Sequence, residues 1–100
     1  MVQVQIFFDK DKFKEDKPMT DFIMEFLASN DILGATAFRG DLGFGENQKI
    51  KRPGRLFSFD DPPMVITFID EDDKVKKVLT ALRKKIKTGF IVTHPVQIWK

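Results

Sequence analysis

The chain of 100 residues contains no cysteine and no tyrosine, and it has only one histidine and one tryptophan. Without cysteine the protein can form neither a disulfide nor a thiolate metal site, and it has no cysteine nucleophile. No apolar run approaches the about 20 residues that a helix needs to cross a bilayer. The N-terminal residues 1–8 have the pattern of a strand and not that of a signal peptide. We therefore expect one domain over residues 1–100, located in the cytoplasm and not inserted in a membrane.

The charged residues nearly balance, because the formal net charge is only +2. A charge this small does not indicate a nucleic-acid-binding protein. The acidic run 70–73 has the composition of a metal or catalytic cluster, but it also precedes a helix pattern whose N-terminus carboxylates would stabilise. His94 is the only histidine, and one histidine without cysteine does not make a convincing metal site. We therefore predict no metal site, no catalytic residue and no required cofactor.

The spacing of apolar residues in the first half of the chain predicts two strands and a helix. Alternation predicts the first strand over residues 2–8, and a charged loop follows as far as Lys17. A helix is predicted to open at Pro18 and to end between Asn30 and Gly34. Residues 36–39 form the second predicted strand. The apolar stripe of the helix consists of Met19, Phe22, Ile23, Phe26 and Leu27.

The second half has the same order of strand, helix and strand. Residues 55–69 read as one strand region that Pro62 and Pro63 interrupt. Asp70 is predicted to cap the second helix, and Gly89 is predicted to end it in the left-handed conformation. The last strand runs from residue 90 to residue 99, with a kink at Pro95. The predicted buried face of the second helix consists of Val75, Val78, Leu79, Leu82 and Ile86.

The element order β-α-β-β-α-β predicts an α+β, ferredoxin-like sandwich, in which two helices cover one face of an antiparallel sheet. The other face of the sheet is then uncovered, and alternating Val, Ile and Phe residues would make it apolar. An uncovered apolar face usually marks a partner or a ligand. We therefore expect Val4 and Ile6 to lie in a buried interface.

The segment 34–45, GATAFRGDLGFG, changes from a strand pattern to a glycine-rich loop, and a basic segment follows. Two interpretations are open. The backbone N–H groups of such a loop can bind a phosphate, or Gly40, Gly43 and Gly45 can serve a tight turn that needs positive φ. The loop is not a Walker loop, because the terminal Gly-Lys-Ser/Thr is missing. It is not a dinucleotide fingerprint, because no helix follows it.

Two further functions are alternatives. Arg39-Gly40 and Gly43-Phe44-Gly45 have a superficial likeness to the aromatic-glycine motif of RNA-recognition domains. That motif lies inside a central strand, whereas Phe44 precedes a loop, so nucleic-acid binding is the weaker interpretation. The other alternative is an enzyme that acts on a small phosphorylated metabolite with His94 or Asp70 as acid or base, and no catalytic spacing supports it.

Nearly the whole chain resembles a family of small PII-like proteins, a domain-of-unknown-function group related to the PII nitrogen-signalling proteins. The resemblance implies a ferredoxin-like homotrimer whose three sheets face inward. It also implies a non-enzymatic signalling protein that binds adenine nucleotides in clefts between subunits and contacts a transporter or an enzyme through the loop after the second strand. The matching segments are GATAFRGDLGFG at 34–45, PMVITFID at 63–70 and DKVKKVLTALRKKIKTG at 73–89.

The resemblance further implies a set of site residues. Thr36 falls where the PII strand approaches the adenine, and Thr88-Gly89 matches the start of a second, phosphate-holding loop. Residues 43–54 would be a shortened recognition loop that contacts a partner protein, for example a membrane transporter. The predicted nucleotide-binding residues are Thr36, Arg39, Gly40, Gly43, Phe44, Gly45, Thr88 and Gly89, and the predicted partner-contact residues are Lys49, Lys51 and Arg52.

Two departures from the PII pattern concern the ligand and its regulation. PII proteins follow Thr-Gly with a Gly-Asp-Gly-Lys run, whereas this chain has VTHP at residues 92–95. We therefore expect weaker triphosphate binding than in PII, and AMP or ADP as the ligand. Because the chain contains no tyrosine, regulation by tyrosine uridylylation is excluded.

Overall fold

The computed structural model describes residues 1–9, 13–44, 50 and 63–100. The strands β1, β4, β5 and β6 form one antiparallel sheet in the order β4-β5-β1-β6, and β2 and β3 form a separate hairpin. With α1 between β1 and β4, and α2 between β5 and β6, this is the predicted ferredoxin-like arrangement. The elements are β1 Val2–Asp9, β2 Phe13–Lys14, β3 Lys17–Pro18, α1 Met19–Ser29, β4 Thr36–Arg39, β5 Pro63–Asp70, α2 Asp72–Lys85 and β6 Phe90–Pro95.

One face of the sheet carries the hydrophobic core. In the register of β1 with β5, Val4 lies opposite Phe68 and Ile6 lies opposite Ile66. Directly opposite residues of antiparallel strands point to the same face, so these side chains pack together under the helices. The core also contains Met19, Phe22, Ile23 and Leu27 of α1 and Val75, Val78 and Leu82 of α2. Both helices therefore cover the same face, as the apolar stripes predict.

Neither α1 nor α2 covers the opposite face of the sheet, which we call the open face. Its residues form three rows across the strands. The first row, Phe38–Val65–Phe7–Phe90, is the one row that is apolar throughout, and we call it the aromatic row. Within it, the ring centroids of Phe7 and Phe90 lie 6.3 Å apart. Gln3 donates a hydrogen bond of 3.2 Å to the hydroxyl of Thr67 between the other two rows. The rows are Phe38–Val65–Phe7–Phe90, Thr36–Thr67–Gln5–Val92 and Ile69–Gln3–His94.

The expectation that Val4 and Ile6 lie in an interface is therefore wrong. Both side chains are 0% exposed because they face the helices, not the open side of the sheet. On the open face β1 contributes Gln3, Gln5 and Phe7. The alternation of β1 was identified correctly. The apolar residues of a half-buried strand point toward the elements that cover the sheet, and in this protein those elements are the two helices.

The predicted charged loop over residues 9–17 contains a short hairpin instead. Lys14 of β2 pairs with Lys17 of β3. Glu15 and Asp16 between them have φ values of 52° and 63°. A two-residue hairpin turn of this kind requires two successive residues with positive φ. The pattern of charges along the sequence gives no information on φ, so it did not predict the turn.

Asp70 does not cap α2. It is the last residue of β5, the helix begins at Asp72, and the N-cap residue is Glu71. The Asp70 side chain is 3% exposed, and its carboxylate accepts hydrogen bonds from the N–H groups of Glu71, at 2.8 Å, and Leu33, at 3.4 Å. It also forms an ion pair with Lys74 at 3.2 Å. Asp70 therefore joins the α1–β4 connection to the start of α2.

The end of α2 and the last strand also differ from the prediction. The helix ends at Lys85, and its C-cap residue Ile86 has an extended conformation. Gly89 has a φ of 91°, but it lies beyond the helix end, where the chain turns into β6. β6 ends at Pro95, so Val96–Trp99 lie outside the strand. The predicted strand at residues 55–59 lies outside the described part of the chain.

Candidate functional site

The glycine-rich segment starts at the C-terminal end of β4, where it packs against the first residue of β5. Gly40 donates its backbone N–H to the carbonyl of Pro63 at 2.7 Å. A Cβ at position 40 would lie 2.8 Å from Cγ of Pro63, and a Cβ at position 43 would lie 3.2 Å from the same atom. Close approach to Pro63 therefore requires glycine at position 40 and favours it at position 43.

This contact bears on both interpretations of the loop. Among the described glycines only Gly89 has positive φ, so a left-handed turn is not the reason for Gly40 or Gly43. The N–H of Gly40 is already bonded to Pro63, so it is not available to a phosphate. This N–H would have to leave Pro63 before it could bind a phosphate, and the predicted nucleotide contact of Gly40 stays a prediction. Gly43 is partly buried, Arg39 and Phe44 are exposed, and Gly45 lies outside the described residues.

Thr36 and Arg39 lie at opposite ends of β4 and on opposite faces of the sheet. Thr36 pairs with Thr67 on the open face, whereas Arg39 pairs with Met64 on the helix-covered face. Three residues of strand separate their backbones by about 10 Å. One small phosphate therefore cannot touch both residues, although a whole nucleotide is long enough to extend between them.

The second half of the predicted site, Thr88 and Gly89, is held by a basic residue near the C-terminal end of α2. Arg83 donates hydrogen bonds to the carbonyls of Thr88, at 2.9 Å, and Gly89, at 2.8 Å. Lys87 donates to the carbonyl of Arg83 at 3.3 Å. These cations offset the partial negative charge at the C-terminus of α2. Basic residues near a helix end commonly bind its last carbonyls, and that rule could have identified Arg83.

The two halves of the site lie at the same end of the sheet but at opposite edges. Arg39 ends β4 and Gly89 precedes β6, and in the sheet order two strands, β5 and β1, separate these edges. Three strand spacings amount to about 14 Å. Within one subunit the end of β4 and the backbone of Thr88-Gly89 are therefore too far apart to bind the same phosphate.

The predicted partner-contact residues Lys49, Lys51 and Arg52 lie outside the residues that the structure describes. The basic character of this segment thus stays an observation about the sequence.

The structure separates the two residues considered as acid or base. His94 is exposed on the open face of the sheet, where it lies opposite Gln3. Asp70 is buried at the end of β5, and its oxygens are bonded to two backbone N–H groups and to Lys74. Burial alone would raise the pKa of Asp70, but the hydrogen bonds from Glu71, Lys74 and Leu33 outweigh it and leave the pKa below its usual value. Asp70 has the environment of a structural carboxylate.

The helices described are too short or too polar for any of them to span a bilayer.

Solved structures with this fold include two of one PII-like protein. The PII-like nitrogen regulatory protein CPII from Thiomonas intermedia K12, bound to ADP, AMP and bicarbonate, matches with a TM-score of 0.73 at 16% identity over 97% of this chain and 86% of that chain. A second CPII structure, bound to ADP and bicarbonate, matches with a TM-score of 0.71 at 17% identity over the same shares. Identities this low show a common fold.

The sequence comparisons identify the family. A "UPF0166 protein" of Aquifex aeolicus (strain VF5) is 30% identical over 96 residues, which are 95% of this chain and 90% of that protein. The model of the DUF190 family, described as "Uncharacterized ACR, COG1993", matches residues 1–98. The predicted resemblance to a PII-like domain-of-unknown-function group is thereby confirmed, and the chain belongs to the DUF190 family.

Proposed function

We propose that the protein is a PII-like regulator that binds an adenine nucleotide, AMP or ADP, in clefts between the subunits of a homotrimer. The proposal is supported by the shared fold with CPII, whose structures contain ADP, AMP and bicarbonate. On this proposal the protein is not an enzyme. It acts in the cytoplasm and passes its nucleotide state to a partner protein, for example a membrane transporter, through residues 43–54.

The observation that carries the proposal is the division of the candidate site between two sheet edges. Arg39 ends the edge strand β4 and Gly43 and Phe44 follow it, whereas Thr88 and Gly89 precede the edge strand β6. They are about 14 Å apart in one subunit. Two copies that meet edge to edge would bring the halves together, so a complete cleft needs two subunits.

The open face of the sheet supports a trimer. The aromatic row exposes three phenylalanines, with Phe7 37%, Phe38 57% and Phe90 67% exposed. Three such faces directed inward would remove these rings from water. Burial of apolar surface stabilises an assembly by about 25 cal/mol for each Å² that is buried. Glutamine and threonine in the neighbouring row can form hydrogen bonds across an interface without buried charge.

The α2–β6 connection supports a mononucleotide or a diphosphate over ATP. β6 begins at Phe90, directly after Gly89, so no further loop follows Thr88-Gly89. The carbonyls of both residues are bonded to Arg83. Exposed Arg39 supplies a guanidinium for one phosphate group. Among the residues of the candidate site that the structure describes, the groups that can donate to a phosphate are few for a triphosphate.

Calorimetric titration of the protein with AMP, ADP and ATP, together with light scattering, tests the proposal. We expect a trimer that binds AMP or ADP more tightly than ATP and does not hydrolyse ATP. A stable monomer at micromolar concentration, or no adenine-nucleotide binding at millimolar concentration, would contradict it. Turnover of ATP would favour the enzyme interpretation.

The RNA alternative is tested with the same preparation. Exposed aromatic residues on a four-stranded sheet are the surface on which RNA-recognition domains stack bases, and the aromatic row has this composition. A trimer covers that row, so we expect no binding of single-stranded RNA. Tight, salt-dependent RNA binding by a monomer would support the RNA-binding function instead.

A further inference from the structure

The solvent-exposed side of α2 has a strongly basic surface that the proposed function does not use. Two pairs of lysines enclose a shallow depression whose centre is formed by two smaller residues, Thr80 and Ala81. The second pair lies eight positions after the first, which is about 12 Å along the helix axis. We call this surface the lysine face; it consists of Lys76, Lys77, Thr80, Ala81, Lys84 and Lys85.

Of the side chains that the structure describes, none that lines the depression is acidic or aromatic. Within the part of the chain that the structure describes, none of the four lysines forms a salt bridge, although Asp72 and Asp73 stand one turn before Lys76 and Lys77. Like charges this close repel each other in the free protein. Among the described residues the lysine face therefore has no ion-pair partner, and an anionic partner would neutralise its positive charge.

The shape and composition of the face restrict the partner. It has no aromatic residue on which a base could stack and no large apolar side chain that could enter a bilayer. It contains lysines only, without the arginine fork that favours phosphate groups. Exposed Asp73 lies on the same side of the helix at its N-terminal end, so a long polyanion that continues along the axis would meet a like charge within one turn.

We propose that the lysine face is a docking surface for a short acidic segment of a partner protein, bound by charge complementarity over about three turns of α2. Carboxylates of an extended or helical segment would lie between the two lysine pairs, and the hydroxyl of Thr80 would donate a hydrogen bond at the centre. The surface shares no residue with the candidate nucleotide site.

Fluorescence anisotropy with a labelled hexaglutamate peptide and the full-length chain tests this inference. We expect binding at low ionic strength that weakens as salt is added. Replacement of Lys77→Glu together with Lys84→Glu should weaken binding roughly ten- to hundredfold, because two attractions become repulsions. The matched control combines Lys14→Glu and Lys100→Glu, which changes the net charge equally outside the lysine face and should retain most of the binding.

Circular dichroism first establishes that both double variants are folded, which we expect because all four positions lie outside the core. Absence of peptide binding by the wild type at low salt, or equal weakening in the two double variants, overturns the inference. The inference is also overturned if phosphatidylserine vesicles or a DNA duplex bind more tightly than the peptide, and if only the Lys77/Lys84 variant loses that binding. The partner would then carry phosphates. Self-association that is lost only in that variant would instead make a second copy the partner, through its acidic residues 71–73.

Discussion

Arg83 donates a hydrogen bond of 2.8 Å to the carbonyl of Gly89, six residues further along the chain. A second bond of 2.9 Å to the carbonyl of Thr88 occupies the other terminal nitrogen of the same guanidinium. The two successive carbonyls converge on one side chain at a point where Gly89 has a φ of 91°. Arg83 thus fixes the path by which the chain leaves α2 and enters β6.

Replacement Arg83→Met should therefore destabilise the protein, although α2 keeps its buried face. We expect a decrease of about 1 kcal/mol in the free energy of unfolding, because the two charge-assisted bonds are partly exposed to water. Urea unfolding provides the measurement. Lys84→Met is the matched control, since Lys84 is exposed and forms no hydrogen bond within the described residues. Equal unfolding midpoints for the two variants would contradict the role of Arg83.

Gly40→Ala should destabilise the protein, whereas Gly34→Ala should not. A Cβ at position 40 meets Cγ of Pro63 at 2.8 Å, whereas nothing lies within 4 Å of a Cβ at position 34. We expect a loss of about 1–3 kcal/mol for Gly40→Ala from overpacking and a change near zero or a gain of about 0.4–1 kcal/mol for Gly34→Ala from the lower entropy of its unfolded chain. Thermal and urea unfolding compare the two. Similar stabilities would show that the contact with Pro63 relaxes without strain.

Acid should destabilise the protein through Asp70. Its folded-state pKa is below the ordinary value of 3.8 because the hydrogen bonds that it accepts outweigh its burial. A carboxyl group with a lowered folded-state pKa contributes stability above its unfolded-state pKa, and that contribution is lost as the pH falls through the lower folded-state value. Unfolding free energies measured from pH 7 to acidic pH should therefore decline less steeply for Asp70→Asn than for the wild type. An Asp73→Asn variant is the control. If the stability of Asp70→Asn declined as steeply with falling pH as that of the wild type, Asp70 would not be the source of the acid sensitivity.

Phe7→Asp should dissociate the proposed trimer into folded monomers. Phe7 lies in the aromatic row on a central strand of the sheet, and a carboxylate there would be buried without a partner. Phe13→Asp is the matched control, because Phe13 is 67% exposed but lies in the β2–β3 hairpin, away from the open face. Light scattering should show a monomer for the first variant and a trimer for the second. A trimer in both would place the interface elsewhere.

Arg39→Ala should weaken AMP or ADP binding by roughly 1.5–3 kcal/mol if the guanidinium binds a phosphate. Arg39 is exposed at the end of β4, so its removal should leave the fold intact. Calorimetry with adenosine distinguishes a phosphate contact of Arg39 from a contact with the nucleoside. Adenosine has no phosphate, so its affinity should be the same for Arg39→Ala and for the wild type. Gly43→Val is a less selective probe, since its side chain would press against Pro63. Unchanged nucleotide affinity in Arg39→Ala would remove Arg39 from the site.

The sequence predicted those features that depend on neighbours along the chain. Alternation in β1 and helical spacing in α1 and α2 are local patterns, and they were sufficient for the element order, the fold class and the buried residues Val75, Val78 and Leu82. The short β2–β3 hairpin was missed because its Glu15-Asp16 turn depends on positive φ at residues that seldom adopt it.

The candidate site was predictable only in part. The sequence indicated a glycine-rich loop after β4 and a Thr-Gly pair after α2, but not that sheet order separates them at opposite edges. It also could not show that the N–H of Gly40 is bonded to Pro63, because residues more than twenty positions apart meet only through strand pairing.

Sequence by itself therefore determined which apolar residues alternate along strands and which recur at helical spacing, since propensity and periodicity are properties of short segments. Tertiary structure alone decided which side of β1 is covered, what Asp70 and Arg83 bind, and why position 40 is glycine. Those outcomes depend on the packing of α1 and α2 against one face of the sheet and on the order of its strands, and no single segment of the chain contains that information.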